Sequence, residues 1–214
     1  MNLDLTHLAA LAAALGWASG MRLYAVVFLV GGVGFLGWVP LPDGLKLLQH
    51  PLVLGASFLM FTMEFVADKI PGVDSLWDVV HTFIRIPAGA ALAAGVFSGV
   101  DGVVGMGSEQ DVSQAWMLIA ALAGGTLAAT SHAAKATTRA AANTSPEPFS
   151  NIGLSLLGDA AVPVMLWLAW EHPLWFFPAL AVALLLAVVL IVVLFKFLRG
   201  LFRRFVPAMR PQET

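Results

Sequence analysis

Seven ionisable residues, Glu64, Asp68, Lys69, Asp74, Asp78, His81 and Arg85, interrupt sequence that is apolar enough on both sides to face lipid. A charge held in a bilayer core costs about 2.5–3.5 kcal/mol on insertion scales, so such residues persist where they are paired, hydrated or functional. After Pro71, Asp74, Asp78, His81 and Arg85 recur at spacings of four, three and four, which on an α-helix confines them to an arc of roughly 60°. Glu64 and Asp68, four apart, share a face of the preceding segment. Carboxylates grouped in this way are hard ligands for Mg²⁺, Ca²⁺ or Mn²⁺. Asp78-x-x-His81 also has the i, i+3 geometry of carboxylate and histidine ligands in helical metal sites. Asp74, Asp78 and His81 are thus candidate metal ligands, and Glu64, Asp68, Asp74, Asp78, His81 and Asp159 candidate residues for binding a small ion or polar solute.

Cationic partners are equally organised. His132, Lys135 and Arg139 form a basic stripe at helical spacing, and Asn151, Ser155 and Asp159 a further polar stripe after Pro146-Glu147-Pro148. Arg22, Lys69, Arg85, His132, Lys135, Arg139, Asn143, Glu147 and Asn151 are expected to balance or gate the acids. The core acids Glu64, Asp68, Asp74, Asp78 and Asp159 equal in number the bases Arg22, Lys69, Arg85, Lys135 and Arg139, which favours mutual pairing. His81 or His132 supplies a group suited to relaying protons near neutral pH.

The elements that position these groups must be membrane helices. Of 214 residues, 59% are hydrophobic and only 11% charged, against roughly 25% charged in an ordinary soluble domain, and the mean hydropathy is +0.87. The apolar stretches are continuous and rich in Ala, Leu and Val instead of alternating, which predicts an all-α polytopic transmembrane helical bundle rather than a barrel. The length allows about six to seven membrane helices. They are expected as a pair over 6–39 that meets or bends near Gly20, then at 52–69, 75–97, 116–142, 151–170 and 174–196. Residues 1–198 form a single transmembrane domain, and 199–214 a basic cytoplasmic tail. With the tail inside, the loop from Gly99 to Gln114, which holds Asp101, Glu109 and Asp111 and no Lys or Arg, falls outside. The N-terminus lacks the basic start of a cleaved signal and is expected to be retained. A basic tail directly after a span points to anionic lipid, not nucleic acid. The absence of cysteine excludes disulfides and thiolate chemistry.

Two charged interruptions, 68–74 and 143–151, each contain proline and read as helix breaks, which lipid tolerates only where the freed backbone groups are buried in protein or line a polar cavity. Thr62 to Pro71 overlays Thr137 to Pro146, with Thr, Ala and Pro in common and Asn143 in place of Asp68. This predicts two proline-broken helical hairpins and an internal repeat of the kind that forms binding sites in transporters. Gly32-Val-Gly34-Phe-Leu-Gly37 imitates a dinucleotide fingerprint but has no preceding strand, so helix packing is expected there. Trp17, Trp38, Trp116, Trp170 and Trp175 fall near expected span ends, where interfacial anchoring is their ordinary role.

Three readings of the network remain open. It is a structural lattice of ion pairs in a non-transport membrane scaffold, a cation site, or an anion site for a phosphate-bearing or lipid-headgroup substrate built on Arg22, Arg85, Lys135 and Arg139. No nucleophile motif such as Gly-x-Ser-x-Gly and no His-Glu-x-x-His is present, so no enzyme is expected. Small-residue runs such as 88–94 favour helix contacts, including those of a homo-oligomer.

The motifs Gly20-x-Arg22-x-Tyr24, Glu64-x-x-Ala67-Asp68-Lys69-x-Pro71-x-x-Asp74-Ser75-x-x-Asp78, Arg85-x-Pro87-x-Gly89-Ala90 and His132-x-x-Lys135-x-x-x-Arg139-x-x-x-Asn143-x-Ser145-Pro146-Glu147-Pro148-x-Ser150-Asn151 resemble those of a widespread bacterial family of small integral membrane proteins, domain of unknown function 4126. The resemblance covers much of residues 16–160 and implies a helical membrane protein without implying an activity. The sequence-based expectation is a small, multi-pass transporter or channel in the bacterial inner membrane, with a cation, a divalent metal or one coupled to protons, as its cargo.

Overall fold

The computed structural model describes residues 4–98, 109–144 and 148–205, and among these every regular element is a helix. In chain order they are α1 (Leu5–Phe35), a 3₁₀ helix (Asp43–Gln49), α2 (Pro51–Ala67), α3 (Val73–Gly95), α4 (Glu109–Ala142), α5 (Pro148–Glu171) and α6 (Pro173–Phe205). α1, α5, α6 and the part of α4 from Ser113 onward are long and apolar enough to cross a membrane. The 3₁₀ helix and α2, meeting at 71°, make a fifth candidate if they form one bent span. The chain is a multi-pass helical membrane protein.

α3 is the exception that organises the rest. Its polar stripe, Asp74, Asp78, His81 and Arg85, is buried, while Leu76, Val80, Phe83 and Ile84 on the other side are exposed. The apolar face therefore looks out toward lipid and the charged face looks into the bundle, as helical phase requires of a helix that is polar on one side only.

α1 is the central helix and packs against α2, α3, α4 and α5. Asp4 caps it by accepting the His7 backbone N–H at 2.8 Å, and that bond holds the Asp4 carboxyl below the usual carboxylate range. The sequence predicts a pair of helices that meets or bends near Gly20, and α1 is such a pair, two helical segments joined across a kink at Arg22, whose φ of −148° and ψ of 71° are not helical. Gly20, two residues before the kink, is a point of close approach to α4. A Cβ there would lie 2.1 Å from Ser131 Oγ and 2.2 Å from the Ala128 carbonyl. Trp17 is likewise a core residue and not an interfacial anchor, whereas Trp38 and Trp175 are exposed.

Small residues set the spacing of the inner layer. Gly16 on α1 faces Gly124 on α4 so closely that a Cβ would stand 2.6 Å from the Gly124 Cα, and Gly89 on α3 abuts Ala128 in the same manner. Gly32, by contrast, has open space on its side-chain side, with nothing within 4 Å of where a Cβ would stand, so it serves no close contact. α6 lies against α4 and α5 on the outside, and most of its large apolar side chains are exposed. It runs as helix to Phe205, so Arg199 and Arg203 lie in its last turns. Asp101, Glu147 and Arg210 lie outside the described residues.

Gly16→Ala forces backbone apart between α1 and α4 and is expected to destabilise the bundle by about 1–3 kcal/mol, read as a lower thermal unfolding midpoint in detergent by circular dichroism. Gly32→Ala, with open space around it, leaves the midpoint unchanged or raises it. Equal effects of the two substitutions would remove the packing role assigned to Gly16.

Candidate functional site

The acids arrive on one hairpin. α2 ends at Ala67 with Asp68 as its C-cap, and Gly72, whose φ of +84° lies in the left-handed region open to glycine, turns the chain into α3. This reversal sets Glu64 and Asp68 beside Asp74 and Asp78, and all four are buried. The bases come from α1 and α4, with Arg85 contributed by α3 and Lys69 by the turn between α2 and α3.

Each base bridges acids that the turn has separated. Arg85 donates from Nη2 to Glu64 Oε1 at 2.6 Å and from Nη1 to Asp78 Oδ1 at 2.7 Å. Arg139 spans Asp68 and Asp74, with Nη1 reaching the Asp68 carbonyl at 2.5 Å and Asp74 Oδ2 at 3.1 Å, and Nη2 lying 3.3 Å from Asp68 Oδ2. Arg22 pairs with Asp68 through Nη1 and with Asp159 through Nη2 at 2.9 Å, and it also donates to the Ser155 hydroxyl at 2.8 Å. Lys69 covers the edge of this group, donating to Ser155 Oγ at 3.1 Å and standing 3.6 Å from Asp159.

Lys135 occupies the centre. Its ammonium lies 2.9 Å from Asp68, 3.2 Å from Asp78 and 3.6 Å from Glu64, and donates to the Met21 carbonyl at 3.2 Å, next to the break at Arg22. Three carboxylates and a carbonyl thus surround a single cationic group. Glu64 Oε2, Asp68 Oδ1 and Asp78 Oδ2 are buried and have no hydrogen-bond partner among the described residues, so each carboxylate keeps one oxygen to spare. Buried polar atoms are ordinarily satisfied, and unsatisfied ones call for a further partner.

The second break is stitched to the first. Asn143 donates through Nδ2 to Asp74 Oδ1 and to Ser75 Oγ, both at 2.8 Å, and accepts from Asn151 Nδ2 at 2.6 Å. Asp74 Oδ1 also accepts the backbone N–H groups of Gly72 and Ser75, at 2.9 and 2.6 Å, which ties the carboxylate to the start of α3.

The histidines take different places. His132 Nδ1 lies 3.1 Å from Arg85 Nη1 and its Nε2 2.7 Å from Thr82 Oγ1. A guanidinium can only donate, so Nδ1 accepts and the proton belongs on Nε2, directed at Thr82. His81 turns away from the carboxylates: its Nδ1 donates to the Trp77 carbonyl at 2.8 Å, and its ring stacks on Trp77 at 4.1 Å and meets the edge of Tyr24. Asp74, Asp78 and His81 share a face but do not converge. Among the described residues no three His, Asp or Glu side chains are gathered to hold a metal ion. The oxygens around Lys135 stand at 2.9–3.6 Å, longer than the 2.0–2.1 Å of Mg²⁺ or the 2.3–2.6 Å of Ca²⁺.

The remaining residues singled out in the sequence, Glu64, Asp68, Asp159, Arg22, Lys69, Arg85, Lys135, Arg139, Asn143 and Asn151, join one connected network. Thr82 and the Met21 carbonyl belong to it as well, although the sequence does not single them out. Both meet partners on another helix, and helical spacing carries no signal for that.

A family model described as domain of unknown function (DUF4126) matches residues 9–193, which include the whole network. No curated protein and no solved structure matches the chain.

Removing one member of a buried pair leaves its partner uncompensated, at a cost of about 3–5 kcal/mol. Arg85→Leu is expected to destabilise the protein by that amount in denaturant titrations in mixed micelles, and adding Glu64→Leu to restore charge balance recovers a large part of it. A double variant no better than the sum of its single changes would mean that the two groups are not coupled.

Proposed function

The chain belongs to the DUF4126 family, and we propose for it the function of a small bacterial inner-membrane transporter or channel for a monovalent cation, coupled to protons, with a cytoplasmic C-terminus. The observation that supports this reading is the cradle of Glu64, Asp68 and Asp78 around Lys135. An ammonium group is a tethered monovalent cation, and oxygens spaced to hold it at about 3 Å suit a proton-bearing or similarly large monovalent ion better than Mg²⁺ or Ca²⁺.

The mechanism follows from competition. While Lys135 is protonated, its charge fills the cradle and the network is neutral. Exchange of the Lys135 proton for an incoming cation keeps the network neutral, the cation taking the oxygens that had held the ammonium, Glu64 Oε1, Asp68 Oδ2 and Asp78 Oδ1. Proton and cation then exclude one another, which is the condition for coupling them. Arg22, Arg85 and Arg139 remain charged throughout and keep the carboxylates in place. His132 and Thr82 brace the edge of the cradle, His132 against Arg85 and Thr82 on the Asp78 backbone carbonyl.

The balanced pairing also favours a second reading, a scaffold whose charges only lock the helices in register. The two separate at Lys135. Arginine keeps the charge but does not release a proton at accessible pH. In proteoliposomes, Lys135→Arg is therefore expected to preserve folding and abolish cation-dependent proton flux, read with an internal pH dye under imposed gradients of Na⁺, K⁺ or NH₄⁺. Flux equal to that of the native protein would sink the exchange mechanism, and absence of any flux from the native protein would favour the scaffold.

A further inference from the structure

Acids and bases are not mixed at random in this bundle. The acids Glu64, Asp68, Asp74 and Asp78 belong to the α2–α3 hairpin, whereas Arg22, Lys135 and Arg139 project from α1 and α4, which stand between that hairpin and a cavity of about 300 Å³. The cavity is walled by α1, α4, α5 and α6, and no residue of α2 or α3 lines it. Its charged lining is Arg22, Lys135 and Arg139, with no carboxylate, and the rest is almost wholly apolar. Arg139, which lines the cavity, has its buried Nε without a hydrogen-bond partner among the described residues, so one of its donors is uncommitted.

The cavity opens sideways. Leu190 on its α6 rim is exposed on the face that points to lipid, and the wall behind it is smoothed by Gly158 and Ala187. A water-soluble anion would have to cross hydrocarbon to reach this opening. A membrane lipid diffuses to it within the bilayer, lays its chains along α6 and brings its headgroup to the basic end. Basic pockets between membrane helices are a recurrent place for anionic headgroups.

We propose that this lateral cavity binds one anionic phospholipid, its phosphate drawn to the basic end, where Arg139 Nε is an unpaired donor and Arg22 and Lys135 add positive charge, and its acyl chains along α5 and α6. The lipid site is separate from the carboxylate cradle, on the opposite side of the same bases. It holds whether or not the cradle exchanges cations. Occupancy would add negative charge behind Lys135 and thereby bias the cradle, linking the lipid to the site.

The test is native mass spectrometry of the purified, delipidated full-length protein titrated with phosphatidylglycerol or phosphatidylcholine. One phosphatidylglycerol per chain is expected, preferred over phosphatidylcholine by about tenfold or more. Gly158→Leu fills the cavity without a backbone clash, since the nearest atoms to a Cβ there are Arg22 Nε at 3.7 Å and Met21 Cε at 3.8 Å. It is expected to lower the bound fraction of phosphatidylglycerol to that of phosphatidylcholine, and Arg139→Gln to erase the preference. Equal binding of the two lipids by the native protein, or undiminished phosphatidylglycerol binding by Gly158→Leu, would overturn the proposal. Displacement of the lipid by inorganic phosphate alone would also overturn it, since the site would then hold a free anion. These readouts are of binding, so failure here is distinguishable from failure of cation flux.

Discussion

Charge neutrality inside hydrocarbon is the constraint on which this molecule depends. Asp68 shows how it is met: one buried carboxylate is approached by Arg22 from α1 and by Lys135 and Arg139 from α4, so three cations converge on the end of α2. No two helices could satisfy the network alone. Four of the five acids sit on one hairpin and most bases on helices distant in sequence, so neutralisation requires the tertiary bundle, and the bundle in turn is specified by the need to neutralise. Whether such pairs add net stability is secondary to this, because buried pairs often roughly break even against desolvation while unpaired members are costly.

Packing and electrostatics are two aspects of the same design. Lysine and arginine side chains reach across an interface only when the backbones are close, and Gly16, Gly20, Gly89 and Gly124 allow α1, α3 and α4 to come together at that distance. The breaks contribute as well. Where α2 gives way to α3, the chain reverses and places Glu64 and Asp78 on one arginine, and the non-helical residue in α1 is itself Arg22, beside a carbonyl that Lys135 uses. The break at Arg22 and the turn between α2 and α3 both lie where charged side chains surround the backbone, as membrane burial demands.

The inner layer is thereby polarised. Four of the carboxylates occupy the hairpin side, with Asp159 of α5 the exception; Arg22, Lys135 and Arg139 occupy the middle, and a lateral opening toward α6 the far side. A row of cations with acids on one flank and an apolar cavity on the other can respond to occupants from either direction. A cation competes with Lys135 for the carboxylates, and an anion adds to the counter-charge of the same bases.

Much of this was legible in the sequence. Helical phase alone placed Asp74, Asp78, His81 and Arg85 on one face and Leu76, Val80, Phe83 and Ile84 on the other, and the proline-containing interruptions located both breaks. The equal numbers of acids and bases pointed to pairing, and pairing is what the bundle contains. Periodicity reports which residues share a face of one helix, and composition reports how many charges must cancel; both are local or summed quantities. Neither says which base meets which acid. That His81 turns to Trp77 while His132 joins Arg85, that Gly20 is a contact and Arg22 the break, and that Lys135 fills a cradle of three carboxylates were decided by the approach of helices far apart in the chain. The residue types and their spacing determined a neutral, polar-cored membrane bundle. The choice of partners, and with it the cradle and the cavity, arose only when distances between helices were set.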